Sequence, residues 1–577
     1  MRLIESGGVR LAFYEDGDPG NPTILLVHGY PDTHRVWDEL VERLRDRFHV
    51  ARYDVRGAGD STAPRGPGGY AFDHLAADLA AVLDAIGKPR VHLVGHDWGS
   101  IQGWDALGRP GLRTRLASFT GFGGPGADQI AHFMRHAGPL RVADQSLRSW
   151  YIGLFQTPVL PELAWRRFFP RLLARTLRRT DGVGPRPGHP ARTLLADGRN
   201  GIGLYRDALS RRLAHPGDPA VEVPVQIIAA TRDPFVSPAL ARSLTRWPAR
   251  AWYRRVAAGH WIQRSHPDTV ARMVGEFVAH LEGAPPAREL RRARVRTGGR
   301  AYADHLVVVT GAGSGIGRAT ARAFAAHGAD VVCADRDVAA AQQVATEIAR
   351  LCRGGAVPYE VDVGDAAQMA TFARWVRDHH GVPDVVVNNA GIAVSGPFME
   401  HRLDDWRRTL DVNRWGVVHG CRLFARQMIE RGEGGHLVNI ASLAAFVPTT
   451  SLSAYSAAKA AVKTLGDCLR AELAGYGIGV STVCPGFVST AIARNTTYVG
   501  TDRRAAAERA LRRRAYPPER VAAHVLRAVR RNRAVVPVNA EGRLGYVLSR
   551  LSPGAIRAIT RISGVLASGT RNPGVGR

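Results

Sequence analysis

The residues best placed to do chemistry begin with an aspartate between glycines, in Gly95-His96-Asp97-Trp98-Gly99-Ser100. It follows the buried-strand run Val91-His92-Leu93-Val94 and precedes a stretch to Leu107 that can form a helix. Strand, sharp turn and helix make a nucleophile elbow, whose glycines tolerate the tight backbone and leave the central side chain exposed at the strand's end. A carboxylate there suits attack on a tetrahedral carbon. It forms an alkyl ester that activated water then hydrolyses, so one hard displacement becomes two easier ones. Partners follow along the chain: Asp233, in Ala230-Thr231-Arg232-Asp233-Pro234 after the strand candidate Val225–Ala229, and then His260 in Ala257-Ala258-Gly259-His260-Trp261. His260 can act as general base for the water, with Asp233 orienting the imidazole and stabilising its charged form.

A second constellation lies in the other half. The strand run His305-Leu306-Val307-Val308-Val309 opens into Thr310-Gly311-Ala312-Gly313-Ser314-Gly315-Ile316-Gly317 and a helical stretch from Arg318 to His327. Such glycines allow a tight turn and close approach of backbone to a pyrophosphate, whose charge then rests at a helix N-terminus. Further on, Tyr455 and Lys459 are four residues apart, so on a helix they share one face and one electrostatic environment.

With its glycine spacing Thr-Gly-x-x-x-Gly-x-Gly, the second half resembles the short-chain dehydrogenase/reductase family. The resemblance runs from His305 to about Val536. It implies a Rossmann fold and a nicotinamide dinucleotide held by Thr310, Gly311, Ser314, Gly315, Ile316 and Gly317. Asp335, ending the second strand, would accept hydrogen bonds from the adenosine ribose and repel a 2′-phosphate, which favours NAD over NADP, with Arg336 beside it leaving NADP open. Asp362 and Val363 fall in the adenine-contacting segment, Asn389, Ala390 and Gly391 in the turn after the fourth strand, and Pro485 and Gly486 near the nicotinamide. Catalysis would rest on Tyr455 as the group exchanging a proton with the substrate oxygen, and on Ser442 hydrogen-bonding that oxygen. Lys459 would lower the tyrosine's pKa and hold the nicotinamide ribose, and Asn413 would support a water leading to Lys459.

The elbow and the loop Val27-His28-Gly29-Tyr30-Pro31 make the first 280 residues or so resemble the epoxide hydrolases of the α/β-hydrolase superfamily. The resemblance implies an oxyanion hole from the backbone N–H groups of Tyr30 and Trp98. It implies a cap inserted from about Pro125 to Asp218, carrying the two tyrosines that activate an oxirane oxygen, Tyr151 in Ser149-Trp150-Tyr151-Ile152 and Tyr205 in Gly203-Leu204-Tyr205-Arg206. Haloalkane dehalogenases share an Asp-Trp elbow and are the competing hydrolase reading. A further alternative makes the first half a substrate-binding module.

Around these sites, β-branched runs alternate with helical Ala/Leu/Arg segments, the pattern of α/β units on a parallel sheet. Strands are expected at Thr23–Val27, Val50–Asp54, Val91–Val94 and Val225–Ala229, then at Leu306–Val309, Asp330–Cys333, Val385–Val387, Leu437–Ile440 and Gly479–Val483. The fold class is therefore α/β throughout, an α/β-hydrolase over 1–282 and a dehydrogenase over 304–577. Between them, 283–303 contains Pro285-Pro286, Gly298-Gly299 and a run of arginines, and reads as a linker. The whole resembles the hydrolase–dehydrogenase fusions of actinobacteria.

Among 577 residues no apolar run approaches the length of a membrane helix, the start of the chain has no secretory h-region, and the default compartment is the cytoplasm. Five cysteines without C-x-x-C spacing argue against disulfides and against a metal site. The net charge of +27 is almost all arginine, since Lys88, Lys459 and Lys463 are the only lysines. No nucleic-acid module accompanies that charge. The expected partners are small molecules, an epoxide and an alcohol or ketone, together with a second copy of the chain through the dehydrogenase half. The tail Arg543–Arg561 mixes apolar residues with arginines and could lie on a membrane, cover a lipid-like substrate or pack on its own domain.

Overall fold

The computed structural model describes the chain except for residues 218–219, 297, 353, 491, 493–495, 501–515 and 569–577. The chain divides into two compact units, Met1–Thr297 and Gly298–Arg577.

The first unit is built on strands β1 (Arg2–Ser6), β2 (Val9–Asp16), β3 (Thr23–Val27), β4 (His49–Tyr53), β5 (Val91–His96), β6 (Leu116–Phe122), β7 (Val225–Ala230) and β8 (Ala251–Val256). They form one sheet in the order β1-β2-β4-β3-β5-β6-β7-β8, parallel from β4 to β8, with an antiparallel hairpin at one edge. All five residues of β3 are buried, because a parallel sheet covered on both faces leaves no solvent side. Its side chains alternate: Leu25 and Val27 enter one core cluster, Ile24 and Leu26 the other. Between β6 and β7 the chain leaves the sheet for a helical cap, running from helix Ala127–His136 to helix Ser210–Ala214. Asp218, where the sequence closes the cap, lies outside the described residues.

The second unit contains β9 (Leu306–Thr310), β10 (Asp330–Asp335), β11 (Ala356–Glu360), β12 (Val385–Asn388), β13 (Val394–Ser395), β14 (Gly435–Ile440), β15 (Ile478–Cys484), β16 (Thr497–Tyr498) and β17 (Val535–Pro537). Seven of them make a parallel sheet in the order β11-β10-β9-β12-β14-β15-β17, and β13 pairs with β16. The order reverses beside β9, and this switch point opens the crevice where such sheets bind ligands.

The expected linker needs correction. Helix Arg288–Ala293 buries Leu290 and Ala293 against Trp252 and Phe277, and the N–H of Val295 donates to Ala251 O at 2.8 Å. At its other end Tyr302 is buried in the second unit, its hydroxyl donating to Leu526 O at 2.9 Å. One helical turn is too short to show a period, so these anchors were hidden among arginines. The tail, by contrast, packs on its own unit: Tyr546 meets Phe446 edge to face at 5.2 Å, and Gly545 lies against Leu443.

Arg56 and Asp78 form a buried bidentate pair, at 2.6 and 2.7 Å, that also gathers the carbonyl of His74. Asp78→Asn should lower the stability of the first unit by about 3 kcal/mol, because it strands a buried guanidinium. Denaturant unfolding checks this, and a change below about 1 kcal/mol would contradict the reading.

Candidate active sites

In the first unit the elbow puts Asp97 at φ 50°, a backbone region that non-glycine residues avoid. The strain is held by close packing that only glycine permits. A Cβ on Gly99 would stand 2.0 Å from Val27 O, one on Gly124 would stand 1.9 Å from Asp97 O, and one on Gly29 would stand 2.4 Å from Asp97 Cβ. The Asp97 carboxylate thus meets the Tyr30 loop directly, and the N–H of Tyr30 donates to its Oδ1 at 2.8 Å. On the other side, His260 Nε2 is 3.6 Å from Asp97 Oδ2, while His260 Nδ1 is 2.9 Å from Asp233 Oδ2. Asp233 is held in turn by the N–H groups of Phe235 and Val236, which donate to Oδ1 at 2.8 and 3.1 Å. Burial works against a charged His260 imidazole, but the Asp233 and Asp97 carboxylates outweigh it and hold its pKa well above the usual histidine value.

These groups open on a cavity of about 400 Å³ roofed by the cap. Tyr151 and Tyr205 both line it, their rings edge to face at 5.9 Å. Burial raises both phenol pKa values, and the Asp97 charge raises them further, so both hydroxyls stay protonated and able to donate. Trp98 stacks its edge on Tyr205 at 5.1 Å. The structure therefore brings together Asp97, Asp233, His260, Tyr30, Trp98, Tyr151 and Tyr205.

Sequence reasoning missed the groups that hold the Asp97, Asp233 and His260 loops. His96 is fully buried, 3.1 Å from His260 O through Nε2 and 3.0 Å from Gln263 through Nδ1. Burial and the neighbouring His260 push its pKa down to about 4, so it stays neutral. From the cap, Asp181 accepts the N–H of Trp261 at 3.0 Å, and Arg148 donates to the backbone carbonyl of Asp233. The position of His96 beside Asp97 was a usable signal. Nothing local marked Asp181 or Arg148.

In the second unit, β9 ends in a glycine turn at which Gly311 and Gly315 have φ +64° and +53°. A Cβ on Gly317 would fall 2.0 Å from Gly311 O, so the turn closes only around glycine. Helix Gly315–Ala326 starts here with its N–H groups free to face an anion. Thr310 Oγ1 accepts the N–H groups of Asn389 and Ala390 at 3.0 and 3.2 Å, while Asn389 Nδ2 donates to Thr310 O and Gly311 O. Asp335 accepts the N–H of Gly313 at 2.8 Å, which puts its carboxylate beside the turn. Asp362 caps its own bend by accepting the N–H of Gly364, and Val363 is buried. Ser314 is exposed at the helix N-cap, and Ile316 is partly buried against the core. Thr490, which sequence reasoning passed over, approaches Gly315 from the loop after Pro485 and Gly486.

Helix Ser453–Leu473 carries Tyr455 and Lys459 on one face, with Lys459 Nζ 5.6 Å from the Tyr455 ring and donating to Ile440 O at 2.9 Å. Burial pushes the Lys459 pKa down to about 8. Burial also raises that of Tyr455, against a hydrogen bond with Ser442 that pulls it down. The expected net lowering of the phenol is thus reversed here, because desolvation of the part-buried phenol outweighs its hydrogen bond. Asn413 sits in a π-helical turn, Asp411–Trp415, and a Cβ on the adjoining Gly391 would lie 2.7 Å from Asn413 Oδ1 and 3.4 Å from Lys459 Nζ. Its side chain is committed to the backbone of Ile392, accepting at 3.2 Å and donating at 2.8 Å.

Fold and sites define a fusion of an α/β-hydrolase-fold unit with a short-chain dehydrogenase/reductase unit. Family models agree: the alpha/beta hydrolase fold matches residues 22–267 and the short chain dehydrogenase matches 305–498. The probable oxidoreductase EphD of Mycobacterium tuberculosis is 41% identical over 589 aligned positions, covering 97% of this chain and 98% of that protein, so this chain belongs to the same family of two-unit oxidoreductases. Among solved structures, a short-chain dehydrogenase/reductase of Burkholderia phymatum in complex with NAD is 30% identical over 48% of this chain and 99% of that one, with a TM-score of 0.39. An epoxide hydrolase of Bacillus megaterium in complex with an inhibitor is 23% identical over 48% of this chain and 100% of that one, with a TM-score of 0.41.

The glycine packing makes its own prediction. Gly99→Ala should destabilise the first unit by about 2 kcal/mol or more, since the new methyl meets rigid backbone. Gly111→Ala, with nothing within 4 Å of the new methyl, should be neutral or stabilising in the same thermal scan.

Proposed function

We propose that the first unit hydrolyses an epoxide to a diol. The observation that carries the reading is one cavity lined by the Asp97 nucleophile, His260 and two protonated tyrosines. An Asp97 oxygen attacks an oxirane carbon, the carbon–oxygen bond breaks, and Tyr151 or Tyr205 gives a proton to the departing oxygen. The ester carries no charge, so it removes one of the two carboxylates that hold a proton on His260 and lowers that pKa when a base is required. The imidazolium proton returns to the tyrosine phenolate, and the neutral His260 then takes a proton from water, which attacks the Asp97 carbonyl carbon. The N–H groups of Tyr30 and Trp98 stabilise the resulting oxyanion; its collapse breaks the ester carbon–oxygen bond, His260 returns the proton to the leaving alkoxide to give the diol, and the new Asp97 carboxyl gives its proton back to His260.

For the second unit the proposal is oxidation of a secondary alcohol, or reduction of the ketone, on NAD. The backbone geometry at Gly311, Gly315 and Gly317 fits a pyrophosphate, and Asp335 favours a free ribose 2′-hydroxyl over a phosphate. When bound, the nicotinamide supplies or accepts the hydride. Tyr455 exchanges the proton at the substrate oxygen, Ser442 hydrogen-bonds that oxygen, and Lys459 holds the ribose beside them. A diol from the first site contains secondary alcohols that suit the second, and the apolar lining of the cap and the basic amphipathic tail suit lipid-derived chains. Self-association through the second unit, a cytoplasmic setting and contact with a membrane of the tail's outer side, where Leu544, Val547 and Leu551 are exposed, belong to the same proposal.

Mass spectrometry after incubation with an epoxide panel and NAD tests the assignment. Diol should vanish in Asp97→Ala and hydroxyketone in Tyr455→Phe, whereas halide release from haloalkanes without ring opening would sink the epoxide reading. Asp233→Asn should slow ester hydrolysis on the order of 10³-fold. Because the carboxylate raises the His260 pKa, its loss should also move the acid limb of that step to lower pH, which single-turnover rates across pH would reveal.

A further inference from the structure

The cap carries a surface that the chemistry of the cavity does not use. Helix Phe169–Thr176 turns Phe169, Leu172, Leu173 and Thr176 to the cavity. At 3.6 residues per turn, Arg171 and Arg175 fall on its opposite side. Arg166 and Arg167 precede the helix, and Arg178 and Arg179 follow it. All six arginines are exposed, and none has an ion-pair or hydrogen-bond partner among the described residues. The acids nearest in sequence are already engaged: Glu162 is paired with Arg206 at 2.7 Å, and Asp181 is held by Trp261 and Thr180.

Exposed apolar side chains stand among these cations. Leu163 is 48% exposed and Phe168 55%, while Leu147 at 77% and Trp150 at 55% also line the mouth of the cavity. Concentrated unpaired guanidinium groups favour an anionic partner, and exposed aliphatic and aromatic groups favour an apolar one. An anionic bilayer offers both at the right depth, with phosphates at the headgroups and an acyl boundary beneath them. A nucleic acid or an acidic protein would meet the charge and leave the aliphatic groups in water.

We propose that this face of the cap docks on an anionic lipid bilayer, setting the cavity mouth at the acyl boundary. An apolar substrate could then slide from the membrane past Leu147 and Trp150 without crossing water. That last consequence rests on the epoxide reading, but the docking does not.

Full-chain protein sedimented with phosphatidylcholine vesicles, pure or with about a third phosphatidylglycerol, tests the proposal without reading any chemistry. Binding should require the anionic lipid and fade with salt. The combined variant Arg171→Glu, Arg175→Glu and Arg178→Glu should weaken it by about a hundredfold, and Leu163→Ser with Phe168→Ser by about tenfold. Circular dichroism and thermal unfolding of each variant should match the parent, so that loss of binding is not loss of fold. Equal binding to neutral vesicles, or parental binding by the arginine variant, overturns the proposal. So does binding to short duplex DNA that matches the vesicles in strength and ignores Leu163 and Phe168.

Discussion

A buried imidazole between two carboxylates sets the terms for the first unit. His260 is 2.9 Å from Asp233 and 3.6 Å from Asp97, away from water, where charges interact strongly and desolvation is costly. Such a triad persists only if its remaining hydrogen-bonding capacity is filled. Phe235 and Val236 fill it for Asp233, and Tyr30 fills it for Asp97. The strained turn at Asp97, the glycines that press against it and the aromatic lining of the cavity all follow from keeping these charges fixed and dry.

The second unit solves a different electrostatic problem with similar means. One ammonium, Lys459, is buried with a backbone carbonyl as its acceptor, and burial rather than a counter-charge dominates both its pKa and that of Tyr455. The glycine turn is braced from β12 by Asn389 and from its own first residue by Thr310, so the anion-facing end of the helix is set before any ligand arrives.

Much of this was legible in the sequence because the chemistry rides on local signals. The strands leading into the elbow, into Asp233 and into the glycine turn announced themselves as short β-branched runs, and the elbow and glycine turn lie wholly within a few residues. The gaps have physical causes. Strands β1 and β2 are half polar, β6 interrupts its apolar residues with Ser118, Thr120 and Gly121, and the edge strand β8 carries Arg254 and Arg255 inside its run, so none shows a clean apolar stretch. Asp181, Arg148 and Thr490 reach their sites only through tertiary folding, from segments whose own patterns say nothing of it. The net pKa direction of Tyr455 was likewise invisible, since spacing reports which groups are neighbours and not how deeply they are buried.

The cap's polar contacts with the catalytic loops bear on how such enzymes diversify. A cap inserted between two strands looks like an exchangeable module, able to bring a new cavity to an unchanged set of catalytic residues. Here Arg148 donates to the backbone carbonyl of Asp233, and Asp181 accepts the N–H of Trp261, next to His260. Cap and loops are therefore held together as one packed unit. A chimera that swapped the cap alone would leave Asp233 and His260 without partners that their loops were shaped to meet.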